Sequence, residues 1–143
     1  MESILGQTGT LKKRPEEINP LLLAYMGDAV YELFIRHHLL ARGETRPNKI
    51  HGQAVRFVSA AAQAEAVRIL KDWLTEEEKE VVKRGRNAKA KSVPKNANTL
   101  DYRYSTGLET LIGHWYLTGN TDRLTQGMKQ VIQSLEGALE DGE

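Results

Sequence analysis

The chain has 143 residues, 40% of them hydrophobic and 27% charged, with no cysteine. This is the length of one ordinary domain and the composition of an average globular protein; it excludes disulfides, thiolate zinc sites and a cysteine nucleophile. Twenty cations against 19 acids leave a net charge of +1, yet six of the cations (Lys83, Arg84, Arg86, Lys89, Lys91 and Lys95) fall in one acid-free run, and the other 14 face all 19 acids.

Taken in chain order, residues 1–19 read as an N-terminal extension. Met1–Leu11 lacks an apolar core of signal-peptide length, and no later run reaches the ~18–20 apolar residues of a membrane span. A cytoplasmic protein without a membrane partner is expected. Pro15, Pro20, Pro47 and Pro94 each disfavour helix at the preceding residue. They separate the stretches 21–46, 48–93 and 95–143, which all read as helical. In the first, Leu22, Tyr25, Met26, Ala29, Val30, Leu33 and Phe34 recur at three- and four-residue spacing. In the second, an alanine-rich run from Ser59 to Leu74 places Ala62, Ala66, Ile69, Leu70 and Trp73 on one stripe. A separate helix is predicted to start at Thr75, where Glu78 three residues on completes a capping box and Glu76–Glu78 suit the positive helix end. Gly85 reads as its stop, and 85–98 as a loop. Beyond it, Leu100, Leu108, Leu111, Ile112 and Trp115–Leu117 fit a buried helix ending at Gly119-Asn120. A last helix from Thr121 carries Leu124, Met128, Val131, Ile132, Leu135 and Leu139, and the acidic tail 136–143 is expected to fray. No strand-like alternation exceeds four residues, so the fold class is all-α, with the main domain over 20–135.

Two acids stand out. Asp28 lies in an apolar helix directly after Gly27, and both residues are poor choices for helix stability. A carboxylate there must be solvated, paired or metal-bound. Glu32 lies one turn on, positioned either to share a cation with Asp28 or to pair with Arg36. Glu109 sits similarly among Ser105, Thr106, Gly107 and Gly113. Glycines permit close backbone approach, so two such helices packed together would bring Asp28 and Glu109 into one two-carboxylate site suited to a hard cation. The histidines His37, His38, His51 and His114 are scattered, and adjacent His37 and His38 point ~100° apart on a helix; they suggest no acid–base pair.

The segment 23–32, Leu-Ala-Tyr-Met-Gly-Asp-Ala-Val-Tyr-Glu, resembles the signature helix of the ribonuclease III catalytic domain, and 104–113, Tyr-Ser-Thr-Gly-Leu-Glu-Thr-Leu-Ile-Gly, resembles its second acidic helix. The segments 58–64 (Val-Ser-Ala-Ala-Ala-Gln-Ala) and 83–89 (Lys-Arg-Gly-Arg-Asn-Ala-Lys) narrow the likeness to the mini-ribonuclease III branch, which lacks a separate double-stranded-RNA-binding domain. The resemblance covers about residues 20–120. It implies a homodimeric, Mg²⁺-dependent endonuclease of double-stranded RNA that leaves 5′-phosphate and 3′-hydroxyl ends. It further implies maturation of precursor large-subunit (23S) ribosomal RNA, with ribosomal proteins on the substrate as further partners. Asp28 and Glu109 take the places of the catalytic, metal-binding acids. The family's two other acids are replaced by Ala24 and Thr106, and the Thr106 hydroxyl lies one turn from Glu109. These losses make a non-catalytic duplex-binding module the competing reading.

The basic run within 83–98 is the expected RNA-binding loop: Lys83, Arg84, Arg86, Asn87, Lys89, Lys91 and Lys95, with Asn96 and Asn98 available to hydroxyls. Duplex RNA is recognised largely by shape, through phosphates and 2′-hydroxyls. Six phosphate contacts would give a log–log salt slope of about −5.

Overall fold

A computed structural model describes residues 4–88 and 98–141. Two short 3-10 helices, Ile4–Gln7 and Pro15–Glu17, precede six α-helices: α1 (Pro20–Ala41), α2 (Pro47–Val58), α3 (Ala60–Leu70), α4 (Glu76–Asn87), α5 (Thr99–Leu117) and α6 (Thr121–Asp141). Among the described residues there is no strand, as expected for an all-α chain.

Local chemistry sets the helix starts. Asn19 caps α1 by accepting from the Leu21 N–H, and Asn98 caps α5 by accepting from Leu100 and Asp101. Pro20 and Pro47 occupy first-turn positions, where a missing N–H costs nothing. Ser59 is extended, with φ −61° and ψ 154°, and splits the second stretch into α2 and α3 while capping α3 through the Ala62 N–H. The Thr75–Glu78 capping box is present in both directions.

Helix α5 is the spine, packing most extensively on α1, then α4 and α3. Its Leu108, Leu111, Ile112 and Trp115 join Tyr31, Ile35 and Leu39 of α1, Phe57 of α2, Leu70 of α3 and Met128 and Val131 of α6 in one core. Two crossings on this spine are closed by glycine. A Cβ on Gly27 would lie 1.7 Å from the Glu109 carbonyl oxygen, and one on Gly113 would lie 2.0 Å from the Leu23 carbonyl oxygen. On the α4 side, a Cβ on Gly85 would fall 2.2 Å from Thr110 Oγ1, and one on Gly107 2.7 Å from the Val82 carbonyl oxygen. Gly85 is therefore not a helix stop. It lies inside α4 as a contact residue, and the helix continues to Asn87.

The structure differs from the sequence reading in three further places. The buried face of α1 is Leu23, Ala24, Gly27, Val30, Tyr31, Ile35 and Leu39. It is rotated from the expected stripe, because α1 is apolar on more than one face; Leu22, Tyr25 and Leu33 are left 60%, 77% and 66% exposed. Leu100 is exposed at the start of α5. The tail expected to fray from Glu136 is helical to Asp141, and Glu136 accepts from His38 and Arg42 of α1.

Helix α4 is clamped at its start. Burial raises the Glu78 pKa, but hydrogen bonds from Arg123, the Thr75 backbone and Trp115 outweigh it and pull it down to about 2. The Arg123 guanidinium also stacks 3.6 Å over the Trp73 ring.

The crossings predict opposite outcomes for two glycines inside helices. Gly27→Ala should destabilise the fold by about 3 kcal/mol or more, since the obstructing atoms are backbone. Gly52→Ala on α2, with nothing within 4 Å of its Cβ, should stabilise by up to about 1 kcal/mol. Thermal and urea unfolding of both variants measure this; equal effects would contradict the crossing geometry.

Candidate functional site

Where α1 and α5 touch backbone to backbone, the residue after Gly27 is Asp28, and the residue whose carbonyl meets Gly27 is Glu109. The two carboxyls lie close enough for Asp28 to disfavour ionisation of Glu109. Asp28 is exposed, whereas Glu109 is half-buried. Burial pushes the Glu109 pKa up to about 9, with further contributions from the hydrogen bond to Asp28 and from the negative charges of Asp28 and Glu32. A carboxylate whose ionisation is disfavoured by burial and by a second carboxylate beside it forms, with that neighbour, a donor set that suits a hard cation.

Glu32 takes the blander of its two readings: it pairs with Arg36 at 3.2 Å and reaches the site only through its field. Thr106 is buried and donates its hydroxyl proton to the Tyr102 carbonyl of its own helix, at 3.0 Å. Ala24 is buried in the core face of α1. Neither position replaces the acid that the resemblance would put there, and among the described residues no group of three or more His, Asp or Glu side chains could hold a metal.

The sequence reading gave no role to two side chains that line this site. Tyr31 donates to the Phe57 carbonyl at 2.6 Å, and burial, aided by the charge of Glu109, pushes its pKa up. Gln63 donates to the Val58 carbonyl at 3.2 Å, and its amide favours the ionised form of Glu109. Together they hold the α2–α3 corner against the acids. The available signal for Gln63 was its register: buried Gln63, Ala66, Leu70 and Leu74 recur at core spacing, which makes a polar residue there conspicuous.

Of the basic run, Lys83, Arg84, Arg86 and Asn87 lie on the last turns of α4 rather than in a loop, because Gly85 is consumed by the α5 contact. Lys83, Arg84 and Asn87 are exposed and line a cleft of about 530 Å³ against Asn19 and Pro20 at the start of α1. Arg86 lies back on α5, 5.6 Å over the Tyr104 ring. Lys89, Lys91 and Lys95 lie outside the described residues, as does Asn96. No helix among the described residues is long and apolar enough to cross a membrane.

Residues 21–120 match the family model described as the ribonuclease III domain. A mini-ribonuclease 3 of Brevibacillus brevis is 47% identical over 131 residues, covering 92% of this chain and 98% of that protein. The mini-ribonuclease 3 of Streptococcus pneumoniae is 44% identical over 122 residues, covering 84% and 95%. A crystal structure of a Fusobacterium nucleatum protein superposes with a TM-score of 0.76 at 29% identity, covering 86% of this chain and 98% of that one.

The acid pair predicts an inverted pH dependence for the metal-free protein. With a native pKa of about 9 against an ordinary 4.5, the folded state holds the Glu109 proton longer than the unfolded chain does. Stability is therefore full below about pH 4.5 from this group and falls as pH rises toward 9. In chelator, the melting temperature should drop across that window, and Glu109→Gln should flatten the drop and melt higher than the parent at pH 8. A parent whose melting temperature rises toward pH 8, or a variant with the same slope, would contradict the assignment.

Proposed function

Since the chain belongs to the ribonuclease III family and is an endoribonuclease, we propose that Asp28 and Glu109 hold the Mg²⁺ with which it cleaves double-stranded RNA. The observation that carries this reading is the meeting of the two acids at the α1–α5 crossing. Bound there, Mg²⁺ would supply charge neutralisation at the phosphate and an activated water. The chain's own residues do the rest. The glycine crossing fixes both carboxylates on rigid helices, and Asp28 faces solvent, open to the RNA backbone. Ends bearing a 5′-phosphate and a 3′-hydroxyl, action on precursor 23S ribosomal RNA, ribosomal proteins on that substrate and a cytoplasmic site belong to this same reading. A non-catalytic module has no geometric support, since such a module has no need to hold two carboxylates in mutual repulsion.

Lys83, Arg84, Arg86 and Asn87, continued by Lys89, Lys91 and Lys95, form the RNA-binding element in this reading. One cleavage and binding assay on a long RNA duplex tests both parts. Asp28→Asn should lose at least ~100-fold in Mg²⁺-dependent cleavage, the equivalent of several kcal/mol of metal assistance, while still binding the duplex. Replacing Lys83, Arg84 and Arg86 with Ala should weaken binding and flatten the log–log salt slope by about 2–3. Undiminished cleavage by the first variant, or an unchanged slope in the second, would refute the corresponding role.

We also infer a homodimer. Leu22, Tyr25 and Leu33 on α1 present exposed apolar surface that a second copy would cover, placing two acid sites around one duplex. Sedimentation at micromolar concentration should give a dimer that Tyr25→Glu weakens to a folded monomer; a parent sedimenting as a monomer would exclude paired cutting.

A further inference from the structure

Resting on the reading of this chain as a nuclease of double-stranded RNA, we propose that the N-terminal loop 12–17 is a second duplex-contacting element, in which Lys12 and Lys13 meet backbone phosphates beside those taken by Lys83 and Arg84.

Lys12, Lys13 and Arg14 are consecutive cations, outside residues 21–120 that match the family model. Residues ahead of a domain's first long helix are ordinarily loose unless something ties them down, and these are tied at both ends. Leu11 before the loop and Ile18 after it line one cleft of about 720 Å³, against Leu22, Tyr25 and Met26 of α1 and Leu117 of α5. Between them the 3-10 helix Pro15–Glu17 packs on α5. Arg14 closes the loop on itself, donating to Glu17 from Nε and Nη2 at 3.2 and 3.0 Å.

The charges of the loop sort in the same way. Glu17 is used by Arg14, and Glu16 acts on His114 of α5 alongside Arg84, which sets the loop on the flank of α4. The chain makes the same connection, since Asn19 and Pro20, directly after Ile18, line the cleft with Lys83 and Arg84. Lys12 and Lys13 are exposed, and neither meets an acid among the described residues. Their ammonium groups are thus available to an external anion. On its other side the loop borders the acid site, because Leu11 shares its cleft with Tyr25, about one turn of α1 before Asp28. The phosphates of a duplex repeat along its length and are met by shape rather than by sequence. A duplex engaged at the acids and at α4 therefore offers further phosphates to cations fixed beside both.

The test is binding of a long RNA duplex by the full chain in chelator, measured across a salt series. The double variant Lys12→Ala, Lys13→Ala should melt as the parent does. It should bind about tenfold more weakly near ~0.1 M salt, with a log–log salt slope flatter by about 1–2. Lys12→Arg with Lys13→Arg, which keeps both charges, should bind with the parent's slope. In the parent, saturating duplex should protect Lys12 and Lys13 from acylation by an N-hydroxysuccinimide ester, read by mass spectrometry; this separates contact from a long-range effect of charge and does not depend on any variant folding. An alanine variant with the parent's slope, or equal acylation of the two lysines with and without duplex, would overturn the proposal. If the slope falls on replacing Lys83, Arg84 and Arg86 but not Lys12 and Lys13, only the role of the loop is lost. A parent whose duplex binding ignores salt would overturn the RNA-binding reading of both elements.

Discussion

The contact on which the rest depends is the backbone-to-backbone crossing of α1 and α5 at Gly27 and Gly113. With side chains at those positions the helices would have to separate, since the first added carbon would fall within bonding range of a carbonyl oxygen. Each glycine costs its helix about 1 kcal/mol in propensity, a cost offset by a crossing that brings neighbouring residues together. The residue that presents its carbonyl to Gly27 also presents its carboxyl to Asp28, so one contact fixes the site along both helices at once. The electrostatic coupling of the two acids follows directly from this closeness.

What could be read from the sequence was local. Helix starts follow from side chains that reach two or three residues along the chain, as at Thr75–Glu78 and Asn98. The all-α class was legible because no strand-like alternation exceeds four residues, and the closeness of Asp28 and Glu109 because small residues flank an acid on each of two apolar helices. The orientation of α1 was not, because a helix apolar on several faces does not declare which one it buries. Gly85 was misread for a related reason. A glycine near a helix end has two uses, as a terminator or as a contact point, and only the position of α5 distinguishes them. Gln63 escaped notice because the Glu109 carboxylate whose ionised form it favours lies far away in the chain, on α5.

The distribution of charge divides the molecule functionally. Acids close to one another at the α1–α5 crossing are held against their preference, while the exposed cations of α4 stand on a helix where water solvates them. A net charge near zero thus coexists with one local concentration of acids and one exposed group of cations. Each persists because the other charges are neutralised locally, as at Glu32–Arg36 and Glu78–Arg123.

Helix α4 is held at both ends, by the Glu78 cluster with Trp115 and Arg123 at its start and by the Gly85–Gly107 contact near its finish. Lys83 and Arg84 therefore project from a helix anchored on either side of them. An encounter with a polyanion through these two side chains restricts only their own rotamers, with no backbone left to organise. The conformational entropy of that part of the surface has already been surrendered in folding. In the proposed RNA-binding role such a pair would act as a gauge: it would hold its charges at a set distance from the acid pair, so that spacing between phosphates along the ligand, rather than adaptation by the protein, would determine which sites fit.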